Sequence, residues 1–248
     1  MLALPSASAA HDYWFERDGE AYLFMRGHRF SEHDGAQVVP YDPKIVSQTL
    51  CVAADGSAIA GERERKREPE PELESKPERE PESGPAAYPV RVAGPCAAVY
   101  VHADSGYWSQ TLTGTTNQPP EALFGVLRSW HALESAKLLE SWSDALARPV
   151  SGHSEHLEII SETDPFGLEV GRKLRLLVMR GGKPVQGVAV AYDGDARGVT
   201  GADGRVNIRV RHGGAQRITA SIDEPLDGAE VDKRVRSTAL FFELPEPK

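Results

Sequence analysis

The sequence predicts a mainly β protein: two antiparallel β-sandwich-like domains, the first carrying one helical segment at about residues 120–146 and a disordered charged insertion. Three observations carry this. Short runs rich in Val, Tyr, Phe and Trp recur between clusters of Gly, Pro, Asn and Asp, the pattern of strands and turns. From residue 151 to 248 the chain reads strand after strand at regular spacing, as an antiparallel sandwich does. Between them Glu62 to Pro85, ERERKREPEPELESKPEREPESGP, has almost nothing apolar and cannot offset its own ordering entropy. A chain of 248 residues is long enough for one large or two ordinary domains, each with its own core.

Residues 1–10, MLALPSASAA, form a small apolar lead ending in the small-residue run Ala7-Ser8-Ala9-Ala10, which reads as the remnant of a secretory signal peptide. Cleavage after Ala10 makes His11 the first residue, with its α-amine and imidazole able to chelate one ion; cleavage after Ala9 makes it the second. The first domain, residues 11–150, opens on HDYWFERDGEAYLFMRGHRFSEHDG, which holds three of the eight histidines. Neutral imidazole is the commonest transition-metal ligand, so His11, His28 and His33 are candidate metal ligands. Residues 13–15 and 21–25 read as two strands joined at Arg17-Asp18-Gly19-Glu20, so His11 begins a hairpin and His28 follows its second arm. His28 and His33 stand at an odd offset that no regular element turns to one ion, which requires a loop bracketed by Gly27 and Gly35. The alternative is three solvated loop histidines.

A strand at Gln37–Val39, a turn through Pro40-Tyr41-Asp42-Pro43 and a second strand ending at Asp55-Gly56 follow. Beyond the charged insertion, itself read as a tolerated loop, period-two alternation sets Val99, Val101 and Ala103 on one face of a strand and Tyr100, His102 and Asp104 on the other. His102 is a sheet-surface histidine or a fourth metal donor. Cys51 and Cys96, the two cysteines, sit in apolar strand-like runs on either side of the insertion. In an oxidising compartment they pair as a disulfide; two buried thiols in the cytosol, or a Cys-His metal site, are the other readings. Pro119-Pro120-Glu121 then opens the expected helix, with Leu123, Val126, Leu127 and Trp130 as one stripe and Leu133, Leu138, Leu139 and Trp142 continuing it.

The second domain, residues 151–248, has turns at Gly181-Gly182, Gly194, Asp203-Gly204 and Gly213-Gly214. Asp193, Asp195 and Gly198 resemble the start of a calcium loop, but Arg197 stands at the third ligand position, which excludes calcium. A net charge of −9 without a basic stripe excludes nucleic acid as a partner. No apolar run approaches the length of a membrane span.

The stretches AHDYWFE, GHRFSEHDGAQVVPYDP, GYWSQT, GTTNQPP, SWSDALARPV and AYDGDARGVTGADGR together resemble the DUF4198 family, and within it the nickel-uptake branch of NikK-type periplasmic components of energy-coupling-factor nickel and cobalt transporters. The resemblance implies a secreted β-rich protein that holds nickel outside the membrane and passes it to membrane transporter subunits. It also implies that the second domain is a transthyretin-like or carboxypeptidase-regulatory-like scaffold. The expected function is therefore periplasmic binding of Ni²⁺, with Co²⁺ and Cu²⁺ as alternatives, and no catalysis. A copper oxidative enzyme built on an amino-terminal histidine chelate and a purely structural extracellular module are the competing readings.

Overall fold

The computed structural model describes residues 12–30, 38–59, 88–150, 154–227 and 230–246. More than half of the described residues are strand, and no α-helix occurs among them. In chain order the strands are β1 (Asp12–Asp18), β2 (Ala21–Gly27), β3 (Val46–Val52), β4 (Ala58–Ile59), β5 (Val90–Val92), β6 (Ala98–Thr111), β7 (Gly114–Thr116) and β8 (Val126–Leu139). They continue with β9 (Glu158–Ser161), β10 (Lys173–Arg180), β11 (Lys183–Pro184), β12 (Ala189–Tyr192), β13 (Asp195–Val199), β14 (Arg205–Arg209), β15 (Gly214–Pro225) and β16 (Lys233–Leu244).

Three sheets stack as layers. The middle one runs β13-β12-β15-β16-β8-β6-β3-β4, with β7 added to β6. Alternation along its strands sends side chains to two separate cores. Val99, Val101, Ala103, Ala136 and Phe241 meet Tyr13, Phe24, Val90 and Val92 of the β1-β2-β5 sheet on one face. Ala98, Val190, Ile218, Ala220, Leu240 and Phe242 meet Ile159, Leu174, Leu176, Val178 and Ile208 of the β9-β10-β11-β14 sheet on the other. The mainly β, sandwich-like reading of the sequence is therefore correct.

Two parts of that reading need correction. The helix at about 120–146 is absent: a 3-10 turn at Pro120–Ala122 leads instead into the long strand β8. Leu, Ala, Glu and Lys in VLRSWHALESAKLL favour helix locally, and their spacing imitates a helical stripe. However, β8 is hydrogen-bonded on both sides, to β6 and β16, and its central residues are buried on both faces. Such a strand has no solvated face to alternate with, so period two disappears from its sequence, and tertiary pairing overrides propensity. The arrangement is also not wholly antiparallel, because β16 joins β8 in parallel from Lys233↔Trp130 to Phe241↔Leu138. That pairing carries the middle sheet across residue 151, so strands from both sides of the expected boundary share one sheet.

The loops follow the turn chemistry. Gly19, Gly181, Gly194, Gly204 and Gly214 all take positive φ, at the turns read from the sequence. Gly94 is constrained differently, by contact: a Cβ there would lie 2.1 Å from the Glu20 carbonyl oxygen and 2.9 Å from Tyr22 Cε2, where the β5–β6 loop crosses the β1–β2 turn. Gly94→Ala is expected to cost about 1–3 kcal/mol by forcing these backbones apart. An unchanged urea midpoint would show that the loop yields freely. The charged stretch 62–85 lies outside the described residues.

Candidate metal centre

The β1–β2 hairpin forms as the sequence indicates, with Asp12↔Gly27 and Tyr13↔Arg26 as its open-end pairs. His28 follows directly, half-buried, in the bend that leaves β2. Asp12 staples that bend: its Oδ2 accepts a hydrogen bond from Phe30 N at 2.9 Å, while its Oδ1 pairs with Arg217 Nη1 at 3.1 Å. The Arg217 guanidinium in turn lies 4.4 Å from the centre of the Phe30 ring, and Arg29 covers Trp14. The Asp12 carboxylate is thus engaged as a strut. His11 and His33 lie outside the described residues, and among the described residues no three His, Cys, Asp or Glu side chains are placed to hold one ion.

Behind the hairpin end, Tyr13 Oη donates to buried Glu134 at 2.8 Å. Burial pushes the Glu134 carboxyl above its ordinary range, against the opposing effect of hydrogen bonds from Ser105 and Tyr13. Burial likewise drives the Tyr13 phenol well above its ordinary value, so it stays protonated and donates. Arg26 lies over Trp108 at 5.8 Å.

His102 does not join this end. Its neighbours Val101 and Ala103 point towards Tyr13 and Phe24, so His102 points to the opposite face of the middle sheet. There it is 3 % exposed and stacks on His156, ring centres 4.3 Å apart. Ser154 Oγ sits 3.4 Å from His102 Nδ1 and 3.2 Å from His156 Nδ1, and His156 Nε2 lies 3.2 Å from the Ala103 carbonyl. Burial, then the neighbouring His156, lowers the His102 pKa to about 3; burial also lowers that of His156. The pair sits in a buried polar layer. Tyr100 and Ser135 hydroxyls both donate to the Leu157 carbonyl, Lys137 pairs with Glu158, and Arg236 Nε donates to the Glu155 carbonyl at 2.8 Å. His156 carried no signal in the sequence, because the strand that supplies its partner is remote along the chain.

Cys51 and Cys96 form a disulfide, Cα atoms 5.3 Å apart, tying β3 to the loop before β6. The cysteines are therefore removed from metal chemistry in this state. Of the remaining histidines, His131 pairs with Asp104 at 2.8 Å and His212 with Asp193 at 2.9 Å, while His153 lies outside the described residues.

An uncharacterised protein of Haemophilus influenzae is 27% identical over 152 residues, a match that spans 58% of this chain and 62% of that protein, so less than two thirds of the relative is covered. No solved structure matches. The family described as "Domain of unknown function (DUF4198)" matches residues 8–224, a span that takes in the hairpin and the disulfide and stops short of β16, and the chain belongs to that family.

Proposed function

We propose that the protein captures Ni²⁺, with Co²⁺ as the alternative cargo, at the open end of the β1–β2 hairpin, using His11, His28 and His33, and releases it to a membrane transporter in the periplasm. The observation that supports this most is the hairpin register. Asp12, which follows His11 in the sequence, faces Gly27, which precedes His28, and the reading takes that register one residue further out. Directly opposed residues of an antiparallel pair hold their Cβ atoms about 4.5–5.5 Å apart, which lets two imidazoles reach one ion. Nitrogen donors of this kind suit Ni(II) and bind Cu(II) as well, so selectivity rests on supply. The Asp12 strut, by fixing the bend at His28, preorganises that side of the site. The Cys51–Cys96 disulfide supports an oxidising compartment, and no described helix is long and apolar enough to cross a membrane.

Calorimetry with Ni²⁺ on the chain processed to begin at His11 tests this. His28→Ala is expected to weaken binding at least about tenfold, roughly 1.4 kcal/mol. His212→Ala, whose ring is committed to Asp193, should bind as the parent does. Equal affinity of the His28→Ala protein and the parent, with matching circular dichroism, would move the site away from the hairpin.

A further inference from the structure

β14 pairs with β10 from Lys173↔Arg209 to Leu177↔Arg205, and among the described residues no strand joins its other side. Val178 N donates to the Gly204 carbonyl and Val210 N to the Arg172 carbonyl, both at 2.9 Å. Even-numbered positions of β14 therefore turn their backbone to β10, and Arg205, Asn207 and Arg209 turn theirs outward. Arg205 is engaged locally: its amide donates to Asp203, and its carbonyl accepts from Gly201 N. The amides and carbonyls of Asn207 and Arg209 have no backbone partner among the described residues and form a short open edge.

The side chains beside this edge are cationic. Leu174, Leu176 and Ile208 turn into the core, so Lys173 and Arg175 of β10 share the exposed outer face with Arg205, Asn207 and Arg209 of β14. These cations meet only through the strand register. Glu162 answers two of them: Arg205 Nε and Nη2 donate to its two oxygens at 2.9 and 2.7 Å, and Arg175 Nε lies 3.9 Å away. Lys173 and Arg209 stand directly opposite each other, and among the described residues neither has a carboxylate within 4.0 Å. Like charges in that position oppose the pairing of their strands. The chain holds 37 acidic against 28 basic residues, so the unanswered pair does not reflect a shortage of carboxylates.

We propose that the open edge of β14 and the cations beside it form a docking site for an extended acidic segment of a partner protein, which adds as a strand with carboxylates at alternate residues. The edge supplies main-chain hydrogen bonds and the cationic row supplies the selection. In an added antiparallel strand, the residues opposite Asn207 and Arg209 lie on their face, with Cβ atoms about 4.5–5.5 Å away. Residues on that face recur every about 6.6–6.8 Å, so alternate carboxylates reach Arg209 and, one strand further in, Lys173. The same cations disfavour a second copy, because pairing β14 with β14 would bring Arg209 against another cationic row. A lipid headgroup could answer the charges but offers no main chain to the edge. The site lies on the sheet remote from the β1–β2 hairpin, with the middle sheet between them, and does not depend on the metal reading.

Fluorescence anisotropy of a labelled peptide of alternating Glu and Thr, titrated with the full chain, tests the proposal. The peptide should bind saturably and be released as salt rises, because exposed charges are screened. The double substitution Lys173→Gln and Arg209→Gln, at exposed side chains, should leave circular dichroism unchanged and weaken binding at least about tenfold. Methylating the backbone amides of the peptide, which removes its strand-pairing donors and keeps every charge, should weaken binding as much. Lys183→Gln, an exposed cation on β11 at the other end of β10, should bind as the parent does. The proposal is overturned by a parent that does not bind the peptide, by a double variant that binds like the parent, or by an equal loss in Lys183→Gln. It is overturned too by undiminished binding of the methylated peptide, which would leave charge attraction alone, as to an anionic lipid surface. Self-association of the chain that the double variant abolishes would assign the edge to a second copy, and peptide binding that emerges only when residues 62–85 are deleted would assign it to the chain's own glutamates; either result overturns the partner.

Discussion

Lys137→Met is expected to destabilise the fold by about 3–5 kcal/mol, the cost of leaving one member of a buried ion pair without its partner. Lys137 is 2 % and Glu158 0 % exposed, and Lys137 Nζ pairs with Glu158 Oε1 between the middle sheet and β9. Glu158 also accepts from Val150 N, with both carboxylate oxygens at 3.1 Å. Removing only the ammonium leaves a fully buried carboxylate without its balancing charge. Adding Glu158→Gln to Lys137→Met removes the stranded charge while keeping an amide oxygen for Val150 N. The double variant should therefore recover much of the loss, although each change is a deletion at the same site. Urea denaturation of the parent, the single and the double variants checks this. A double variant less stable than Lys137→Met alone would mean that the carboxylate is held mainly by Val150 and its surroundings rather than by the lysine.

The stacked imidazoles predict an acid limit on stability. The pKa of His102 falls from an ordinary value of 6.5 to about 3 in the folded chain, so folding favours its neutral form. As pH drops below 6.5 the unfolded chain takes up this proton and the folded chain does not. The contribution is fully present above about pH 6.5 and is lost progressively towards pH 3. At pH 4.5 the loss from His102 is about 2.5 kcal/mol, and His156, shifted in the same direction, adds to it. A second cost reinforces this, since protonated imidazoles would stand in one layer with Arg236 and Lys137. Comparing urea midpoints at pH 7.5 and 4.5 for the parent and for His102→Phe isolates the histidine from the carboxylates, which titrate in both proteins. The variant should lose distinctly less stability on acidification; equal losses would show that His102 is not the proton acceptor.

How much could be read beforehand depended on how locally each feature is encoded. The first hairpin was legible because its aromatic runs and the Asp18-Gly19 turn lie side by side, and its register follows from the turn. The alternation around His102 was legible too, since β6 faces two different apolar layers and its Val residues mark one of them. The disulfide could be read from the apolar runs that flank Cys51 and Cys96. β8 could not, because a strand enclosed on every side is specified by its neighbours, and its Glu134, Ser135 and Lys137 make sense only beside Tyr13, Leu157 and Glu158. Of the candidate metal ligands, the described hairpin stops at Asp12↔Gly27, and His28 stands in the bend beyond it that Asp12 and Arg217 hold. His156 stayed hidden since its meaning lies in a ring from another strand.

The parallel pairing of β8 with β16 sets an order of events in folding. β8 is synthesised with β6, its neighbour across a short connection, and these two can associate early. Its other edge stays open until residues 233–241, near the far end of the sequence, have been made. Contacts between such distant segments form slowly, and an open interior edge is a template for pairing with other chains. Chains truncated before Lys233 would therefore expose this edge permanently, and the time between making β8 and making β16 is the interval in which a nascent molecule most needs protection from its copies.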